Sequence, residues 1–127
     1  MNRETLEKLS VIDWLGCIDR LENHHKVCEL LLILAKDLEE KKDILHEAYV
    51  QQDVKKMLYL LSYMMSGVCY LKLPQLEQAL QACFEAIKKP VDQHRVEATY
   101  EMLRTAIENF NLFWQTYSAE TLGEIAK

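Results

Sequence analysis

The sequence DVKKMLYLLSYMMSGVCYLKLPQL, residues 53 to 76, contains a complete helix together with the beginning of the next one. Asp53 is a residue type that favours the N-cap position, and Pro74 is typical of the first turn of a helix. Between them, apolar residues recur at spacings of three and four, the pattern of a stripe that faces a bundle core. The stripe consists of Val54, Met57, Leu61, Met64, Val68 and Leu71. We therefore predict one helix from about residue 54 to about residue 71 and another that begins at Pro74.

Two further helices are predicted before this stretch. Asp13 is placed to cap a short helix, and Asn23 is placed to cap a long one that runs from His24 to about Val50 without Gly or Pro. The apolar stripe of the short helix is Trp14, Cys17, Ile18 and Leu21, and that of the long helix is Val27, Leu30, Leu31, Leu34, Leu38, Ile44, Leu45 and Ala48. Both stripes have helical spacing.

The C-terminal part continues in the same way. The helix that begins at Pro74 is predicted to end near Lys88, and Pro90 restarts the chain for a last helix that ends near Tyr117. Its stripe is Val96, Tyr100, Leu103, Ile107, Phe110 and Trp114. Residues 118 to 127 form a tail polar enough to fray. Four substantial helices with short connections must pack as antiparallel neighbours, so we expect an up-down four-helix bundle with the short helix capping one end.

Composition agrees with a single all-α domain spanning residues 1 to 127. The chain has only 3 glycines and 2 prolines, and 50% of its residues are hydrophobic. Its net charge is −5 and no long basic cluster occurs, so we expect no nucleic-acid partner. No apolar run has the length of a membrane span and no secretory signal is visible, so we expect a cytoplasmic protein that does not enter a membrane. The four cysteines lack ligand-like spacing, and we interpret them as reduced and mostly packed.

The helix after Asp53 has a second face that adjoins the predicted core stripe. At about 100° per residue this face holds Lys55, Leu58, Tyr59, Ser62, Met65, Ser66 and Cys69, which we call the Ser62 face. Ser62 lies near its middle and should be accessible. The surrounding residues are more apolar than solvation requires, which indicates either a protein-docking surface or a face partly covered by a neighbouring helix. Periodicity leaves both interpretations open.

Residues 62 to 76, SYMMSGVCYLKLPQL, resemble the active helix of histidine-containing phosphotransfer (HPt) domains, most closely those of tripartite hybrid sensor kinases, whose pattern is roughly HxLHGxxCYxGxPxL. The matches are Val68, Cys69, Tyr70, Pro74 and Leu76. Similarity extends over about residues 11 to 116, through VIDW at 11 to 14, a long second helix rich in Leu and acidic residues, and QxD at 51 to 53. The resemblance implies a domain that docks on the receiver domain of a bacterial two-component response regulator.

The departures from the family pattern imply that phosphotransfer is lost. Ser62 stands where the family has its phospho-accepting histidine, and Met65 stands where it has a basic residue that stabilises the transferring group. A serine hydroxyl would give a stable phosphoester, and no base lies within sequence reach to activate it. The family glycine is replaced by Ser66, which is still small. A register shifted by one residue would place Tyr63 at the acceptor position and Gly67 on that glycine, and it also supplies no histidine.

The four histidines suggest no other site. His24, His25 and Cys28 form a small cluster that lacks the four ligands of a structural zinc site, so we expect no metal. His46 is interpreted as a surface residue, and His94 lies in the first turn of the last helix. No nucleotide-binding, nucleophile or metalloprotease motif occurs, so we expect neither a cofactor nor an enzymatic activity.

The sequence therefore predicts a regulatory binding protein. Its Ser62 face would dock on a receiver domain and modulate, most simply inhibit, phosphorylation or activity of the response regulator. We expect a monomer. Two alternatives stay open: an active phosphotransfer protein that uses a displaced histidine such as His46 or His94, and a structural four-helix scaffold or homodimer whose likeness to the family is architectural only.

Overall fold

The computed structural model describes residues 10 to 89 and 92 to 126, with side chains described as far as Ser118. Within these ranges the chain is all-α and has five helices and no strand, as predicted for the fold class. The helices are α1 (Trp14–Leu21), α2 (His24–Val50), α3 (Val54–Val68), α4 (Pro74–Lys88) and α5 (Gln93–Ala126). No helix in the described part of the chain combines the length and apolar character needed to cross a membrane.

The predicted helix starts are confirmed by their hydrogen bonds. The side chains of Asp13, Asn23 and Asp53 each accept a bond from a backbone N–H three residues further on, as N-caps do. Pro74 stands at the beginning of α4. The predicted restart at Pro90 lies outside the described residues, and α5 begins at Gln93.

Two predicted helix ends differ from the structure. α3 ends at Val68, because the chain turns there, with Leu71 N–H donating to the Val68 carbonyl at 3.1 Å. Leu71 is buried as predicted, but it reaches the core from the connection that follows α3. α5 continues to Ala126, past the boundary expected near Tyr117, so the backbone of the predicted tail is helical as far as Ala126.

The predicted core is confirmed with two exceptions. Nearly all residues of the stripes predicted for α2, α3 and α5 are buried, and those that are half-buried pack against the core, as do the half-buried residues of the α1 stripe. Val54 is 45% exposed and Ile44 is 37% exposed, so placing both in the core was wrong. Val54 is the first residue of α3, and few neighbouring side chains cover the end of a helix. Ile44 lies at the edge of the α2 stripe, in which Leu45 and Ala48 are the buried residues nearby.

The helix contacts follow chain order. α2 packs against α3, α3 against α4, and α4 against α5, while α5 packs back against α2 and α1 contacts α2. α1 is also hydrogen-bonded to the α3–α4 connection. Lys72 N–H donates to Cys17 Sγ at 3.0 Å, and Asp13 N–H donates to the Lys72 carbonyl at 2.9 Å. These bonds fix α1 beside the C-terminal end of α3.

Candidate functional site

The structure places the middle of the Ser62 face on the surface. Lys55, Tyr59, Ser62 and Ser66 are exposed on α3, and the Tyr59 side chain is 70% exposed. The accessibility predicted for Ser62 is therefore confirmed.

Two apolar members of the face lie partly beneath this surface. Leu58 and Met65 are half-buried and pack against the core, which agrees in part with the interpretation that neighbouring helices cover some of the face. Their side chains hold α3 in place, while their exposed parts lie next to Tyr59 and Ser62 in the helix. The face therefore combines an exposed aromatic ring, small hydroxyls and partly covered apolar groups.

The hydroxyls of the two serines differ. Ser66 Oγ donates to the Ser62 carbonyl at 3.1 Å, the i−4 bond that serine often makes within a helix. Cys69 Sγ donates to the Ser66 carbonyl at 2.9 Å at the end of the helix. Among the residues that the structure describes, none makes a hydrogen bond with the Ser62 hydroxyl. Ser62 is therefore the serine of this face whose side chain is available.

Tyr63, the acceptor position of the shifted register, is oriented differently. Its hydroxyl donates to an Asp37 carboxylate oxygen at 3.4 Å, and the Lys41 ammonium lies 5.1 Å from the centre of its ring. Both partners belong to α2. Tyr63 thus contributes to the contact between α2 and α3, whereas Ser62 makes no such contact.

Arg20 is a neighbour of the Ser62 face that sequence reasoning missed. Its guanidinium donates to the carbonyls of Cys69 at 2.8 Å and Leu71 at 3.3 Å. Carbonyls at the end of a helix lack partners within the helix and carry partial negative charge, so a cation there is favourable. Arg20 therefore supplies positive charge beside Met65.

A shallow depression lies at this end of the face. Its volume is about 280 Å³, and it is lined by Arg20, Met65, Val68, Cys69, Glu77 and Gln81. The depression holds one cation, one carboxylate and apolar atoms. No sequence signal connects Arg20 with Cys69, because 49 positions separate them.

The cysteines were predicted to be reduced and mostly packed. All four are free thiols, and Cys17 and Cys83 are buried, whereas Cys28 is half-buried and Cys69 is exposed. Burial raises the pKa of the Cys83 thiol to about 11 and also raises the pKa of Cys17. The two buried thiols therefore behave as small apolar groups that stay protonated near neutral pH.

The histidines lie apart from the Ser62 face. His24 Nε2 is 2.7 Å from the Tyr117 hydroxyl, and its ring nitrogens are 3.8 Å from Cys28 Sγ. His25 Nε2 is 2.8 Å from a Glu29 oxygen on the exposed side of α2. No group of three or more His, Cys, Asp or Glu side chains in the described part of the chain is placed to hold a metal ion.

The other two histidines differ in their surroundings. His46 is exposed, as predicted, but its Nδ1 lies 2.7 Å from the hydroxyl of the buried Tyr100. His94 is exposed in the first turn of α5. The contact of His46 with a residue of another helix was not visible in the sequence.

Comparison of the chain with protein-family models, curated proteins and solved structures gives no match. The indications of function are therefore the residues of the site and the resemblance of residues 62 to 76 to the HPt pattern.

Proposed function

We propose that this protein is a phosphotransfer-like module without phosphotransfer chemistry, which binds the receiver domain of a bacterial response regulator through its Ser62 face. Binding would cover the region of the receiver where phosphate is accepted and would inhibit phosphorylation or activity. The protein would act in the cytoplasm as a monomer, by binding and not by catalysis.

We infer that the four long helices form an antiparallel up-down bundle with α1 across one end. Two features support this arrangement. The described connections between long helices are short, which favours antiparallel neighbours, and the contacts from α2 through α5 close back on α2. In such a bundle α3 has one face toward the core and another toward solvent, which is the geometry that a docking helix needs.

The observation that carries the proposal is the exposure of Ser62 at the position where the HPt pattern has its histidine. The free hydroxyl, the small Ser66 one turn later and the exposed Tyr59 ring one turn earlier allow close approach of a partner. A helix face with a few apolar anchors and a charged rim is a common protein-recognition surface. Lys55 and Arg20 lie at its two ends as rim cations.

The lack of relay chemistry follows from side-chain types. Ser62 has no imidazole nitrogen, and none of the described side chains is hydrogen-bonded to its hydroxyl as a base. Met65 offers no positive charge to a phosphoryl group. A receiver docked here would keep its phosphate or fail to acquire one.

The proposal is tested by a binding titration of the purified protein against the response-regulator receivers of its own organism, with wild type beside Ser62→Arg. The arginine would add bulk and charge at the centre of the face, and Ser62 is exposed, so the fold should be unaffected. We expect binding by the wild type and its loss in the variant. Binding that survives in Ser62→Arg would overturn this placement of the interface.

A matched control is Gln78→Arg, which adds the same side chain at an exposed position of α4 outside the face. It should bind as the wild type does. If no receiver binds the wild type at all, the resemblance reduces to architecture, and a scaffold or homodimer becomes the better explanation.

The displaced-histidine alternative has less support. His24, His25 and His46 are each engaged with another side chain. His94, which Arg95 follows, is exposed in the first turn of α5 and does not lie on α3, the helix that resembles the HPt active helix. Incubation with a phosphorylated receiver, followed by analysis for acid-labile phosphate on the protein, distinguishes this alternative. We expect no such phosphate.

A further inference from the structure

A cavity between α2 and α5 is separate from the Ser62 face. Its volume is about 200 Å³, and no residue of α3 lines it. Its apolar wall is formed by Leu45, Leu103 and Ile107, which are all buried. A cavity of roughly 150 Å³ is large enough for a benzene molecule, so this one can hold a small apolar side chain.

Two polar residues of the cavity are hydrogen-bonded to each other. Tyr100 is 1% exposed, and His46 Nδ1, at 2.7 Å, is the partner of its hydroxyl among the described residues. Burial raises the pKa of Tyr100 to about 12, so the phenol keeps its hydrogen at neutral pH. Which of the two atoms donates is set by the tautomer of the imidazole. His46 Nε2 has no hydrogen-bond partner among the residues that the structure describes, so it is a polar atom of the lining that a ligand can contact.

The rim of the cavity carries charges of both signs. Arg104 has a single long contact with Glu101 at 3.6 Å, which leaves most of its N–H donors free. Lys42 also lines the cavity, and its ammonium group is paired with Glu39 at 3.1 Å. Asp43 and Glu108 line it too, and neither has an ion-pair or hydrogen-bond partner among the residues that the structure describes. Donors for a carboxylate and acceptors for an ammonium group thus surround one apolar wall.

We propose that this cavity binds a zwitterionic α-amino acid with a small apolar side chain. Its carboxylate would pair with Arg104 beside His46, and its ammonium group with Asp43 or Glu108. The apolar side chain would lie against Leu103 and Ile107. Such a ligand would pair with both the cation and the carboxylates of the rim, and it would remove apolar surface from water. A simple acid lacks the ammonium group for this, and a simple amine lacks the carboxylate.

The test uses four probes and the full chain. L-leucine carries both charges and the apolar group, isocaproate lacks the ammonium group, isoamylamine lacks the carboxylate, and glycine lacks the side chain. Calorimetric titration at millimolar concentrations should show binding of leucine, with each of the other three at least about tenfold weaker. Isoamylamine or isocaproate that binds as tightly as leucine would overturn the proposal, as would absence of leucine binding.

Variants identify the cavity as the site. Arg104→Gln should weaken leucine binding about tenfold, because it removes the carboxylate partner, and Glu108→Gln should weaken it by removing one acceptor for the ammonium group. Both positions are exposed, so the fold should survive. The matched control is Arg95→Gln, an exposed arginine of the same helix outside the cavity, which should leave binding unchanged. Equal effects of Arg104→Gln and Arg95→Gln would contradict the assignment.

Discussion

The two faces of α3 differ in composition and in environment, since the core stripe is apolar throughout and the Ser62 face mixes apolar residues with a lysine and two serines. Met57, Leu61, Met64 and Val68 are at most 3% exposed, whereas Tyr59 on the other side is 70% exposed. Burial of apolar surface explains the first set, because each side chain removed from water stabilises the fold. It does not explain Tyr59, which gives up little contact with water on folding. The difference separates residues that hold the fold from residues available to a partner.

The largest effect is expected from a substitution on the buried face of α3, at Leu61, which is fully buried. Leu61→Ala should lower the free energy of unfolding by about 3 kcal/mol, from lost burial and the cavity that remains. Urea denaturation followed by circular dichroism measures this change. A loss below about 1 kcal/mol would mean that the site collapses around the alanine or that α3 is not held by this face.

On the exposed face the expected effect is on binding. Tyr59→Ala should weaken receiver binding by about 2 kcal/mol, the effect of removing an aromatic anchor, and should change the free energy of unfolding by less than about 0.5 kcal/mol. The matched control is Tyr70→Ala, because Tyr70 is 64% exposed but lies outside the Ser62 face. If both variants bind equally well, Tyr59 is not part of the interface.

Arg20 bears on both stability and binding, since it holds α1 against the end of α3 and also borders the exposed face. Arg20→Gln should lower the free energy of unfolding by about 1 kcal/mol, because the guanidinium bonds to the Cys69 and Leu71 carbonyls are lost while water partly replaces them. Thermal unfolding measures the change, with Arg95→Gln as the control. Equal melting temperatures for the two variants would show that these bonds add nothing to stability.

Local signals were enough to predict the helices. The caps at Asp13, Asn23 and Asp53 and the proline at Pro74 act within a few residues of themselves, and the structure has them as predicted. Spacing also predicted most of the core and the exposure of Ser62. Spacing failed at Val54, because it predicts which side of a helix faces the core but not how far along that helix the neighbouring helices extend.

Contacts between residues far apart in the sequence could not be predicted from caps or spacing. Arg20 beside Cys69 and His46 beside Tyr100 are 49 and 54 positions apart, and no periodicity links such pairs. The depression near Met65 and the cavity between α2 and α5 depend on these contacts. The candidate site could thus be predicted as a helix face with Lys55 at one end, but the arginine at the other end could not.

The smallest expected effect concerns Gly67, in the last turn of α3. A Cβ built there would lie 3.7 Å from Leu34 Cδ1, an ordinary van der Waals contact, and the residue has helical backbone. Gly67→Ala should therefore raise the free energy of unfolding by about 0.5 kcal/mol, because alanine loses less conformational entropy on folding. Urea denaturation measures the gain. Receiver binding should not change, because residue 67 is outside the Ser62 face. A variant that is more stable yet binds less well would mean that the interface extends to Gly67 and needs close backbone approach there, as the shifted register of the HPt pattern would have it.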